Sequence, residues 1–246
     1  MADADLIAIL NLWGDFELVG RLAGGHRNCA YQVRGAGGNF VLKSTRREET
    51  AIDWLLAVHQ VAQEQGIVVP SLQHGKNGCL VQEGWTLEAF IEGKYPEKLP
   101  IDWLQAVMPK FHDATCNFSQ RPGFASSLDL LRIETGGDVD LNKMPNELVD
   151  ALRKAWRDAS SSPQAVVHGD INVSNLVEVQ NGGFALLDWD ETRVDFSFYD
   201  EMQFAAAQHN DAAEQAAKAY EIACSWLVEP KYARRLALSF LASTYT

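Results

Sequence analysis

The stretch His168-Gly169-Asp170-Ile171-Asn172-Val173-Ser174-Asn175, with Leu186-Leu187-Asp188-Trp189-Asp190 a few residues on, sets three oxygen-bearing side chains against short apolar strands. Asp170 and Asn175 flank a tight loop that leaves the apolar pair Val166-Val167. Asp188 ends a strand running from Phe184 to Leu187. Leu176 to Val179 reads as its partner, with Asn181-Gly182-Gly183 as the turn between them. A small β-island of this kind brings the three side chains to one spot. Phosphoryl transfer asks for such a set: a carboxylate to orient the attacking hydroxyl, and an amide with a second carboxylate to hold Mg²⁺.

Upstream of this island the chain reads as strands punctuated by glycine. Leu18 to Ala23, Gly24-Gly25, then Cys29 to Val33 predicts a hairpin, and Gly35-Ala36-Gly37-Gly38 turns into a third strand, Phe40-Val41-Leu42-Lys43. Ala51 to Gln63 predicts a helix, with Ile52, Leu55, Leu56, His59 and Ala62 close to one face. Ile67-Val68-Val69, Cys79-Leu80-Val81 and Trp85 to Ile91 complete an expected five-stranded antiparallel sheet with one helix. Gly93 to Pro100 reads as a connection. Beyond it helices are expected at 101–116, 146–159, 196–209, 212–227 and 231–241. The expected fold class is therefore α+β. A β-rich lobe over 1–92 precedes a mainly helical lobe over 93–246 that contains the hairpin. Ligands favour clefts between such lobes.

Composition narrows the function. The chain has 246 residues, 33 acidic against 21 basic side chains and a net charge of −12. No basic stripe exists to displace phosphate counterions, which argues against a nucleic-acid partner. The acidity favours a cationic small molecule, or else serves solubility alone. Cys29, Cys79, Cys116 and Cys224 form no CxxC pair and fit reduced thiols. Acidic Met1-Ala2-Asp3-Ala4-Asp5 and the short run Leu6 to Leu10 do not make a signal peptide, and no stretch is long enough to span a membrane. The expected location is cytoplasmic, with no membrane partner; a homo-oligomer is compatible with the sequence.

On these motifs the chain resembles the aminoglycoside phosphotransferase and choline kinase family, small-molecule kinases of protein-kinase-like fold. The resemblance covers most of residues 18 to 205. It implies ATP and Mg²⁺ as cofactors, Asp170 as the catalytic carboxylate, and Asn175 and Asp188 as the metal ligands. His168 then braces the loop, and Asp190 either approaches a second metal or caps the next turn. Lys43, on the strand face opposite Phe40 and Leu42, would contact the α/β-phosphates and pair with a helix glutamate. Of the two glutamates that follow, Glu48 is in register with Ile52, Leu55 and His59, whereas Glu49 follows Asp53 and Gln60 on the wet face. Gly24, Gly25 and Asn28 form a turn whose backbone can approach phosphates, or serve only as a hairpin turn. Neither a Walker A nor a GxGxxG pattern is present. Glu88 to Gly93 resembles the family's hinge, with backbone groups of Ala89 and Ile91 pairing with adenine.

Phe111-His112 resembles a helix-terminal Leu-His pair, read as a histidine satisfied in the core, and Asp200 resembles an aspartate that braces the catalytic loop. The chain departs from the pattern in its tail, since only 58 residues follow Asp188. An acceptor pocket that is abbreviated, completed by a second chain, or missing is the expectation there. Acidic Glu201, Asp211, Glu214 and Glu221 are candidates to receive an aminoglycoside. Trp189, Phe198, Tyr199 and Trp226 are candidates to cage a choline-type ammonium; the alternative is solvated helix faces and core aromatics. The resulting expectation is phosphoryl transfer from ATP to a hydroxyl of an aminoglycoside-, choline- or homoserine-like molecule. A nucleotide-binding regulator of the same fold, without catalysis, is the rival. A protein kinase is disfavoured because no Ala-Pro-Glu closes an activation segment. A metal-dependent phosphohydrolase would leave Lys43 and the hinge without purpose.

Overall fold

Leu42 is fully buried while its neighbours Val41 and Lys43 are half-buried, the alternation of a strand with one face on a core. The computed structural model describes residues 3–22, 28–180, 182–204 and 211–244. In chain order the elements begin with α1 (Asp3–Leu10), β1 (Glu17–Arg21), β2 (Ala30–Gly35), β3 (Gly38–Ser44), α2 (Glu49–Glu64), β4 (Leu72–Gln73) and β5 (Trp85–Ala89). There follow α3 (Ile101–Thr115), β6 (Thr135–Gly136), β7 (Val139–Asp140), α4 (Asn146–Asp158) and β8 (Gln164–Val167). The chain ends with β9 (Leu176–Glu178), β10 (Phe184–Leu186), β11 (Arg193–Phe196), α5 (Phe198–Glu201), α6 (Asp211–Ser225) and α7 (Pro230–Thr244). No helix among the described residues is long and apolar enough to cross a membrane.

Two compact units result, Met1–Glu97 with Ser174–Leu187, and Lys98–Val173 with Asp188–Thr246. The first holds the expected five-stranded antiparallel sheet, in the order β1-β2-β3-β5-β4. Its core gathers Val33, Leu42, Trp85 and Leu87 against Leu6 and Leu10 of α1, a helix that the short apolar run had not suggested. The fourth strand is also displaced. Leu72–Gln73 occupies that place, rather than Ile67 to Val69 or Cys79 to Val81. Val68 instead pairs with the β9–β10 hairpin: its N–H donates to the Phe184 carbonyl at 3.3 Å and its carbonyl accepts from Leu186 at 2.9 Å. The Glu178 N–H donates to Lys94 at 2.8 Å. These bonds tie the hairpin to the first unit, whereas it was expected within a lobe beginning at residue 93.

The second unit packs α4, α6 and α7 around Leu148, Leu152, Trp156, Ala216, Ile222 and Phe240, all nearly or fully buried. The helix expected over 196–209 is different: β11 occupies Arg193–Phe196, and α5 runs only four residues, Phe198–Glu201. Residues 205–210 lie outside the described residues. β11 pairs with β8, antiparallel, with Val167 opposite Arg193. The expected β-island is thus two separate ladders, β9–β10 and β8–β11. β11 is favoured because Val194 finds a partner on its other side too, where the Gln120 side chain binds both its N–H and its carbonyl.

Candidate active site

β8 delivers the chain into the loop that begins at His168. Gly169 turns it with φ +86°, and a Cβ there would stand 3.1 Å from both Arg193 Nη1 and the Glu191 carbonyl, so any other residue would be both strained and crowded. The loop is suspended from Asp200, on α5. Its Oδ2 accepts the His168 N–H at 2.8 Å and its Oδ1 accepts the Gly169 N–H at 2.9 Å. His112 Nε2 meets the same Oδ2 at 3.0 Å, and His112 Nδ1 lies 3.7 Å from Glu201. Both His112 and Asp200 are buried, with 5% and 1% exposure. Burial pulls the His112 pKa down, but the hydrogen bonds and charges of Asp200 and Glu201 outweigh it and raise it to about 9. Burial pushes the Asp200 carboxyl up; the hydrogen bond and charge of His112, with the loop's contribution, prevail and hold it below its usual range. His112 is therefore a charged core histidine, and Asp200 is the brace that its sequence context suggested.

On this support Asp170 is exposed. Asn172 Nδ2 donates to its Oδ1 at 2.8 Å, and its own N–H donates to His168 Nδ1 at 3.3 Å. His168 is fully buried, with its ring edge-on to Trp189 at 4.9 Å. The bracing role expected for His168 agrees with this placement. The Thr192 hydroxyl donates to the His168 carbonyl at 3.2 Å, linking the loop to the turn that follows Asp188. Asp188 is half-buried and adopts a left-handed conformation, φ 59° and ψ 67°, before a 3₁₀ turn over Trp189–Glu191. That turn runs straight into β11. Because β8 and β11 are antiparallel, the Asp170 loop and the Asp188 turn leave the same end of one ladder.

The remaining candidates belong to the first unit. Asn175 is buried and sits at the open end of its hairpin, where its carbonyl accepts the Leu187 N–H at 2.8 Å. Lys43 is half-buried on β3, opposite Ala30 on one side and Thr86 on the other. Glu48 is exposed and occupies the N-cap of α2, one position ahead of the helix, so helical register does not apply to it. Glu49, read as facing water, is instead half-buried: its two oxygens accept the N–H groups of Leu80 and Val81 at 2.8 and 2.7 Å. Those bonds account for the displaced segment at Cys79 to Val81. The Ala89 N–H donates to the Ser71 carbonyl at 2.9 Å, inside the sheet, and Ile91 lies half-buried just beyond the strand. Asn28 is half-buried at a bend; Gly24 and Gly25 lie outside the described residues.

Of the acceptor candidates, Trp189, Phe198 and Tyr199 are buried core aromatics. Trp226 is half-buried and donates its indole N–H to the Lys143 carbonyl at 2.9 Å. Asp211 and Glu214 are exposed and line a groove of about 300 Å³ with Lys154, Asp158 and Phe240. Sequence reasoning passed over Asn172, Thr192, Gln120 and Arg121. Only Asn172 carried a local signal, a short amide two residues after a carboxylate.

Residues 19–237 match the model of the phosphotransferase enzyme family. Similar solved structures include a spectinomycin phosphotransferase in complex with ADP and spectinomycin, 13% identical, covering 99% of this chain and 94% of that one, with a TM-score of 0.59. A choline kinase from Streptococcus pneumoniae is 13% identical over 98% of both chains, with a TM-score of 0.58. A microcompartment-associated aminopropanol kinase is 15% identical over 98% of this chain and 94% of that one, also at 0.58. No curated protein sequence matches the chain. The expected resemblance and the expected fold class are both borne out.

Proposed function

We propose, from the premise that this chain belongs to the phosphotransferase enzyme family, that it moves the γ-phosphoryl group of ATP to a hydroxyl of a small amine-bearing molecule. The observation that carries this reading is the β8–β11 ladder, which releases the Asp170 loop and the Asp188 turn at one end. Asp170 would orient the acceptor hydroxyl and take its proton as the oxygen–phosphorus bond forms, while the bond to the bridging oxygen of ADP breaks. Asn172 keeps the Asp170 carboxylate aimed through its 2.8 Å hydrogen bond. Lys43 would bind the nucleotide phosphates, with Glu48 as its supporting carboxylate, Asn28 at the phosphate turn, and Ala89 and Ile91 beside the adenine.

Asn175 and Asp188 offer an amide and a carboxylate, hard oxygen donors that suit Mg²⁺, and these two would hold it. When bound, the ion neutralises charge on the transferring phosphoryl group. The acceptor follows from two supports. Spectinomycin, choline and aminopropanol, named for the three neighbours, all carry a cationic nitrogen (amine or quaternary ammonium) and a hydroxyl. A net charge of −12 attracts such cations. The testing experiment is a screen for ADP release by purified protein against amino alcohols, aminoglycosides, sugars and homoserine, with and without Mg²⁺. Mg²⁺-dependent release with at least one hydroxyl acceptor is expected. Tight ATP binding with no transfer across the panel would favour the regulatory module instead.

A further inference from the structure

We infer that Arg121 is a positioning residue for Asp188, an inference that rests on the proposed role of Asp188 in holding Mg²⁺. Arg121 lies in the loop after α3 and is 1% exposed. A single nitrogen, Nη1, donates to the carbonyls of Trp189 at 3.2 Å, Asp190 at 2.8 Å and Thr192 at 3.0 Å. Gln120 grips the next stretch: its Nε2 donates to the Val194 carbonyl at 2.8 Å and its Oε1 accepts the Val194 N–H at 3.0 Å. The same Oε1 accepts the Arg121 N–H at 2.8 Å, so the two side chains act as one staple. The guanidinium carbon stands 4.4 Å from the centre of the Phe124 ring, which fixes its plane.

This staple holds the backbone from the residue after Asp188 to the second residue of β11. Asp188 needs such a hold. Its left-handed backbone, shared among described non-glycine residues only with Glu83, persists where the surroundings over-determine it. On its N-terminal side the hairpin ladder ends with the Leu187 N–H on Asn175. On its C-terminal side three carbonyl oxygens crowd around one position and repel each other unless a cation sits among them. With the guanidinium gone, these carbonyls lose their donor and the turn relaxes. The Asp188 carboxylate then loses its set direction. Asp188 stays chemically intact, so the loss is of aim.

The test compares ADP affinity by calorimetry in saturating Mg²⁺ and in EDTA, a ratio that general destabilisation does not move. For the wild type, Mg²⁺ is expected to tighten ADP binding. Arg121→Met is expected to keep the wild-type affinity in EDTA and to lose about 10–100-fold of the tightening by Mg²⁺, the usual effect of losing a residue that orients a metal ligand. Arg121→Lys keeps the charge on a shorter stem and falls between the two. Arg153→Met is the control: Arg153 donates to the carbonyls of Leu130 and Ile133, away from the turn, so its variant loses stability and keeps the full tightening. Full tightening in Arg121→Met, or an equal loss of affinity in EDTA, would overturn the inference. Should Arg121→Met fail to fold, the same ratio in Arg121→Lys decides it. A wild type with no Mg²⁺ effect on ADP would instead strike at the phosphotransferase reading, and at this inference through it.

Discussion

Replacing His112 by Gln removes a pH-dependent part of the stability of the second unit while keeping a donor near Asp200. The native pKa of about 9 stands against an ordinary value of 6.5. That difference is worth about 3 kcal/mol at about 1.36 kcal/mol per unit. The native value is the higher one, so the contribution is complete below pH 6.5, decays as pH rises, and is gone above about 9. Asp200 moves the other way: its depressed pKa contributes stability above its ordinary 3.8 that is lost as pH falls. Urea unfolding of wild type should therefore weaken between pH 6.5 and about 9 by about 3 kcal/mol, or about 6–12 °C in melting temperature. His112→Gln should flatten that slope and melt lower at pH 6.5. A variant with the wild-type slope would refute the buried ion pair as the source. The measurement bears on the site because the same Asp200 oxygens suspend His168 and Gly169.

Asp200→Asn breaks the buried pair from the other side and should cost about 3–5 kcal/mol by chemical denaturation, with loss of turnover. Gly169→Ala should cost at least about 1–2 kcal/mol for its left-handed backbone, and turnover measured on folded protein should fall as the Cβ displaces Arg193 or Glu191. Glu49→Gln should lose about 1–3 kcal/mol by weakening its hold on the Leu80 and Val81 amides. Glu48→Gln, at an exposed position, should melt like wild type but bind ADP more weakly; unchanged ADP affinity removes Glu48 from the site.

Short-range pattern carried most of what was legible. The strands at Leu18, Phe40 and Trp85 could be read because short apolar runs stand between glycine turns; the helices over 101–115 and 146–158 could be read because they are long. The brace by Asp200 and the core role of His112 followed from motif position, and both stand in the structure. What escaped notice was long-range. Nothing near Arg193–Phe196 announces a strand, because its partner β8 lies about thirty residues back and its other partner is a side chain, Gln120. Arg121 acts on carbonyls 68 to 71 residues away. Glu49 looked solvated because register predicts a face, and it cannot foresee a loop at Leu80 folding over the first turn of α2. The hairpin's membership of the first unit rests on hydrogen bonds to Val68, whose apolar run reads as a sheet strand, and to Lys94 in the connection.

The proposed function rests on Asp170 acting on an acceptor hydroxyl within an intact ATP site. Its most direct test follows phosphoryl transfer from ATP by phosphorus NMR, with the best acceptor of the screen, for wild type and Asp170→Asn. ADP affinity is measured on the same two preparations. Wild type should give a phosphate-ester signal, and Asp170→Asn a transfer rate about 10²–10⁴-fold lower with equal ADP affinity. Transfer at the wild-type rate by Asp170→Asn would contradict that role.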